Sequence, residues 1–163
     1  MPDQTSFRVY VSKDYLKFSA AHFMAYPGFR ELLHGHNYRV SIAVQGPLSP
    51  QGYVVDFGVV KRIARRLCDQ LDGRTLIPAE SDCLVIDEAG GAVTVRYEGD
   101  EFRFPKSDVL LLPIVHSSVE ELARHLAGEL RKELVAEGVT SVSAIEVGVE
   151  ESFGQSAFFR QES

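Results

Sequence analysis

The sequence is poor in cysteine: among 163 residues only Cys68 and Cys83 occur, in unrelated segments and without CxxC spacing. A disulfide framework is therefore excluded as an organising device, and a reducing, cytoplasmic setting is the default. Positive charge is in the minority, with 17 Lys and Arg against 23 Asp and Glu, a net charge of −6 and an isoelectric point near 5.4. That balance argues against a dedicated nucleic-acid binder or a basic membrane-surface protein. No apolar run approaches the roughly 18 residues of a membrane span, and the amino end has no signal-peptide pattern. Internal repeats, low-complexity segments and a Gly-rich phosphate loop are also missing. What remains is an ordinary globular composition, 45% hydrophobic and 25% charged. Its length fits one domain, residues 1–163, with a real hydrophobic core.

Within that background, Phe18–Tyr38 (FSAAHFMAYPGFRELLHGHNY) holds three of the five histidines. In an extended strand, residues two apart share a face, so His34 and His36 present both imidazoles to one point. From His34 the alternation is clean: His34, His36, Tyr38, Val40, Ile42 and Val44 lie on one side. Upstream, Phe7–His22 alternates first in odd positions (Phe7, Val9, Val11) and then in even ones (Leu16, Phe18, Ala20, His22). Such a phase change predicts a bulge or bend near Ser12–Asp14. If the two segments pair antiparallel, His22 joins the other two, and three neutral imidazoles with an open fourth position make a catalytic-type zinc site. HGH as a turn carrying two solvated histidines fits the spacing equally well.

Elsewhere the punctuation is legible. Met1–Ser6 reads as a polar lead-in, and Ala25–Leu33, containing Pro27-Gly28, as the connection between the histidines. Asp56 is placed to cap a helix whose apolar stripe is Phe57, Val60, Ala64, Leu67 and Leu71, with Lys61, Arg62, Arg65 and Arg66 on the wet face and Gly73 as stop. Residues 75–113 read as a β-rich insertion, with short strands at Cys83–Asp87, Ala92–Tyr97 and Glu101–Phe104 separated by turn pairs. Ser118 and Glu121 have capping-box spacing before a stripe of Val119, Leu122, Leu126, Leu130 and Leu134. Two strands, Val142–Glu151 and Gln155–Arg160, close the chain.

Two carboxylates are unusual by position. Glu151 continues the apolar row of Ile145, Val147 and Val149, so it must either escape at the strand end or meet a specific donor. Glu120 stands in the first turn of the second helix, where the helix dipole alone would favour it.

Taken in order, FSAAH, LHGHNY, VVDF, Leu71-Asp72, SSVEELA and the final VEES resemble the 6-pyruvoyl-tetrahydropterin synthase and 6-carboxy-tetrahydropterin synthase family over nearly the whole chain apart from the insertion. The resemblance implies an α+β tunnelling fold: a four-stranded antiparallel sheet with two helices on one face, assembled into a barrel-like homo-oligomer, usually a hexamer, with active sites at subunit interfaces. It implies Zn2+ on His22, His34 and His36, a pterin ring anchored by Glu120, and proton relay by Asp72 and Glu151. Ser152 stands where the family usually has threonine. The implied partner is a small-molecule reduced pterin, 7,8-dihydroneopterin triphosphate, with no nucleic acid and no membrane. A carboxylate suits the anchoring role, since it accepts two parallel N–H bonds from such an edge.

Two departures shape the functional expectation. Where the usual member has a catalytic cysteine, four residues before the first histidine of HGH, this chain has Arg30. Glu31 instead resembles the glutamate of a variant branch that cleaves the side chain to 6-hydroxymethyl-7,8-dihydropterin, and a carboxylate base suits that retro-aldol step. By composition alone, Glu31 is equally a surface residue of a polar loop. The family's histidine after the aspartate is Gly73 here, and His116, just before SSVEELA, is a candidate to supply an imidazole from another direction; a lone loop histidine is equally an ordinary surface residue. The sequence thus points to a zinc lyase with Glu31 as base. Its alternatives are 6-pyruvoyl- or 6-carboxy-tetrahydropterin synthase activity, or a pterin-binding relative without turnover.

Overall fold

In the computed structural model residues 5–163 are described, so most of the polar lead-in, Met1–Gln4, lies outside the described residues. Two long strands, β1 (Phe7–His22) and β4 (His34–Gly46), form the spine of the sheet. They pair antiparallel from Phe7↔Gly46 to Ser12↔Ser41, and again from Lys17↔Arg39 to His22↔His34. Between Ser12 and Lys17, β1 advances five residues while β4 gives up two. Three extra residues are an odd number, so the buried set passes from Val11 to Leu16, Phe18, Ala20 and His22. The phase change in the sequence is this bulge, and it turns His22 to the same side as His34 and His36.

The short connection between the spine strands is itself a hairpin: β2 (Ala25–Tyr26) pairs with β3 (Phe29–Arg30) across Pro27-Gly28, where Gly28 takes φ +87°. The two closing strands, β10 (Ala144–Ser152) and β11 (Gln155–Glu162), complete an antiparallel set in the order β11-β10-β4-β1. The sheet goes on further than the four strands expected. After β1 come β5 (Arg74–Pro78) and β9 (Val109–Leu112), both paired parallel, which makes six strands. The ends of the 75–113 segment therefore belong to the main sheet. Its middle, β6 (Val85–Ala89), β7 (Ala92–Tyr97) and β8 (Asp100–Pro105), is a separate antiparallel meander.

Helices α1 (Phe57–Leu71) and α2 (Val119–Ala136) cover one face of the sheet. Asp56 caps α1 by accepting from Gly58 N at 2.7 Å, and Ser118 caps α2 by accepting from Glu121 N at 3.3 Å. The buried stripe of α1 is Val60, Ile63, Ala64, Leu67, Cys68 and Leu71, whereas Phe57, expected in it, is 47% exposed because it precedes the first packed turn. Leu122, Leu126, Leu130 and Leu134 are buried on α2, which packs against β10 and β11, each such side chain contributing about 2 kcal/mol. A second, smaller core lies under the meander, where Phe23, Ala25, Ile77, Leu84, Val93, Val95, Tyr97 and Val109 pack together. No helix among the described residues is long and apolar enough to cross a membrane.

Candidate metal centre

The register of the spine determines the histidine geometry. His22 is the direct cross-strand partner of His34, and His36 lies across from Ala20. Facing residues of an antiparallel pair are neighbours on the sheet surface, so three imidazoles converge without help from any loop. Ring centroids are 4.8 Å apart for His22–His34, 5.2 Å for His22–His36 and 4.8 Å for His34–His36. One ligand nitrogen from each lies within 4.8 Å of the others.

The outer nitrogens are already engaged, and this tests whether a metal suits the trio. His22 Nδ1 lies 2.8 Å from the Ser117 carbonyl oxygen and 3.2 Å from Ser117 Oγ, and His34 Nδ1 lies 2.6 Å from the Leu32 carbonyl oxygen. A carbonyl only accepts, so each Nδ1 carries its proton and each Nε2 is left with a free lone pair. Nε2 of His22 and Nε2 of His36 are buried without a hydrogen-bond partner. Unpartnered buried nitrogens are costly unless something binds them, and carbonyl-oriented imidazoles are the usual support of a metal ligand. Burial also lowers the pKa of His22; the Ser117 bond opposes this, and His34 and His36 lower it further. The neutral, ligand-competent imidazole is the favoured form. The residues fit a divalent cation that accepts nitrogen donors.

Around the trio stand two of the carboxylates singled out in the sequence. Glu31 Oε2 is 3.7 Å from His34 Nε2, and Glu151 Oε2 is 4.0 Å from His36 Nε2. Both side chains are about one-third exposed, so they border a space open to solvent. Glu31 reaches its place because Met24 N donates to its Oε2 at 3.2 Å while Glu31 N donates to Met24 O at 2.9 Å. Glu151 arrives where β10 loses register, between Glu150 and Ser152. Beneath these groups Tyr38 is fully buried, stacked on Phe18 at 4.7 Å, and burial together with Glu151 and Glu31 pushes its phenol pKa up.

Other expected site residues lie apart. Asp72 caps the end of α1, and its Oδ1 accepts from Ser19 N at 2.8 Å while Gly73 N donates to Ser19 O at 2.7 Å. Both backbone groups of Ser19 are thus clamped, and Gly73 does this at φ +73°, a conformation histidine would adopt only under strain. Asp72 lines a separate hollow of about 470 Å³ with Lys17, Arg39, Arg65 and Asp69. Glu120 is exposed on the first turn of α2, and His116 is half-buried in the preceding loop, outside the trio. Sequence reading passed over Ser117, which is 1% exposed and joins His22 to the start of α2. The doubled serine of SSVEELA was its one visible sign, and the second of the pair accounted for the cap.

A sequence profile described as 6-pyruvoyl tetrahydropterin synthase matches residues 10–162. A protein of Methanocaldococcus jannaschii, provisionally named a 6-carboxy-5,6,7,8-tetrahydropterin synthase, is 31% identical over 147 residues, which is 90% of each chain. The crystal structure of the Plasmodium vivax 6-pyruvoyl tetrahydropterin synthase superposes with a TM-score of 0.93 at 36% identity, covering 98% of this chain and 99% of that one. Two further structures of the P. vivax enzyme are of forms in which a catalytic glutamate is replaced by alanine or by cysteine.

Proposed function

This chain belongs to the 6-pyruvoyl tetrahydropterin synthase family, lyases of tetrahydropterin biosynthesis, and we propose that it is a zinc-dependent lyase acting on the side chain of 7,8-dihydroneopterin triphosphate to give 6-hydroxymethyl-7,8-dihydropterin. The observation that carries this reading is the 3.7 Å between the Glu31 carboxylate and Nε2 of His34. A base at that spot faces whatever the three imidazoles hold.

Zinc on His22, His34 and His36 would polarise the side-chain oxygens of the substrate and make their protons easier to remove. Glu31 takes the proton of the second side-chain hydroxyl. That carbon–oxygen bond becomes a carbonyl, the bond between the first and second side-chain carbons breaks, and its electron pair moves into the ring C=N. The first carbon then needs a proton, and the carboxyl group of Glu151, 4.0 Å from His36 Nε2, supplies one while Glu31 holds the proton it removed. Atoms balance as a hydroxymethyl pterin plus a two-carbon aldehyde bearing the phosphates. Glu120, exposed on α2, anchors the ring edge by accepting its paired N–H groups. Asp72, engaged with Ser19 within one subunit, serves proton relay only in a site shared with a neighbouring chain.

Such sharing accords with a homo-oligomer, a hexamer by resemblance, working as a single cytoplasmic domain with the 75–113 insertion. Supporting it, β1 has no strand partner along Phe7–Phe18 on the edge away from β4, because its pairing with β5 is limited to Ala20 and Ala21 and Ser19 is held by Asp72 and Gly73. A second reading, 6-carboxy-tetrahydropterin synthase activity, is favoured by the archaeal relative. Zinc-loaded protein incubated with 7,8-dihydroneopterin triphosphate, with products separated by chromatography, decides between them. The hydroxymethyl product should dominate and disappear in Glu31→Gln with zinc content intact; unchanged turnover in that variant removes Glu31 from the chemistry.

A further inference from the structure

Arg30 occupies the middle of a contact set that joins the meander to the histidine trio. Its Nε and one terminal nitrogen donate to Asp100 Oδ2 at 3.2 and 2.9 Å, and its other terminal nitrogen donates to the Glu31 carbonyl oxygen at 2.9 Å. The guanidinium also lies 5.0 Å from the Phe102 ring centroid and 5.8 Å from that of Phe23. Phe23, next to the ligand His22, stacks on Phe102 at 4.8 Å. Two more side chains tie the same hairpin down: Tyr97 OH donates to Tyr26 O at 2.9 Å, and Cys83 Sγ to Ala25 O at 3.4 Å. The meander therefore grips β2–β3 by its carbonyls and by Arg30, just before the chain reaches Glu31.

An ion pair whose acid is 56% exposed adds little to stability. Its geometry does something else. Only a planar fork with donors on both sides can hold a carboxylate and a neighbouring carbonyl at once while stacking on an aromatic face. With Glu31 N bound to Met24 O and Glu31 O bound to Arg30, both backbone groups of Glu31 are fixed, and its side chain has little freedom beyond its own rotamers.

We propose that Arg30 and Asp100 form a clamp through which the β6–β8 meander holds the Glu31 carboxylate beside the histidine trio. Arg30 is then a positioning residue, and the insertion is a buttress of the site. This rests on Glu31 being the base. A misplacement of about 1 Å in such a group can cost up to about a hundredfold in rate.

The test uses the zinc-loaded full chain and the variants Asp100→Ala and Arg30→Gln, read by amide hydrogen exchange and by kinetics. Asp100 is exposed, so its variant folds even if Arg30→Gln proves fragile. Exchange at residues 23–33 should rise at least tenfold while α1 and α2 are unchanged. Turnover number should fall about tenfold or more with KM within twofold and zinc content unaltered. Placed on Glu31→Gln, Asp100→Ala should cost nothing further in residual turnover. Unchanged exchange at residues 23–33, or a fully additive loss on Glu31→Gln, overturns the clamp. If the parent protein cleaves no dihydroneopterin, the base assignment fails, and the exchange result still decides the clamp.

Discussion

The carbonyl oxygen of Ser117 accepts a hydrogen bond from His22 Nδ1 at 2.8 Å, fastening the start of α2 to the last residue of β1. One bond sets the tautomer of a buried imidazole and orients its free nitrogen toward His34 and His36. Ser117 Oγ adds to this, standing 3.2 Å from the same nitrogen and donating to Phe23 O at 3.1 Å. Ser117→Ala keeps the carbonyl and loses the hydroxyl, so zinc affinity should weaken by up to about tenfold, measured by competition with a chelator. An unaltered affinity would show that the backbone bond alone holds the ring.

Binding to the native state alone must stabilise it. Zinc at about a thousand times its Kd should add about 4 kcal/mol to the unfolding free energy. His36→Ala, which removes one ligand from the trio, should abolish that gain while leaving the metal-free stability within about 1 kcal/mol. Thermal melts with and without zinc check both statements.

At Gly73 the backbone is in the left-handed region, with nothing within 4 Å of where a Cβ would sit. The cost of a side chain there is conformational, not steric crowding by neighbours. Gly73→Ala should lose about 1 kcal/mol in urea unfolding. Gly73→His should lose a similar amount.

Cys68 is buried in α1, and burial with the nearby Asp69 and Asp72 pushes its thiol pKa from 9.0 up to about 12. Between those pH values the native state keeps a proton that the unfolded chain has released, so stability falls as pH rises through the window. One such group steepens the decline by about 1.4 kcal/mol per pH unit, and Cys68→Ala should flatten it by that amount. Urea unfolding of both proteins at pH 9, 10 and 11 gives the slope within that window.

Much of the site was legible because it obeys the period of a strand. His34 and His36 share a face by alternation alone, and the odd-to-even switch ahead of His22 marked the bulge that turns that residue to the same side. Both caps, at Asp56 and Ser118, rest on local chemistry and could be read locally. Contacts across long separations left no trace of that kind. Arg30 finds Asp100 seventy residues away, and nothing in the spacing of either foretells it. Parallel pairing of β5 with β1 and β9 was equally hidden, since Thr75–Pro78 and Val109–Leu112 are too short to show a period. Phe57 misled because a helical stripe ignores where packing begins.

Zinc-edge anomalous diffraction from crystals of the zinc-loaded protein locates the bound ion. One strong peak is expected, bounded by Nε2 of His22, His34 and His36, with Glu31 and Glu151 on its open side. Rings left without a peak between them, or zinc bound only elsewhere on the chain, would contradict it.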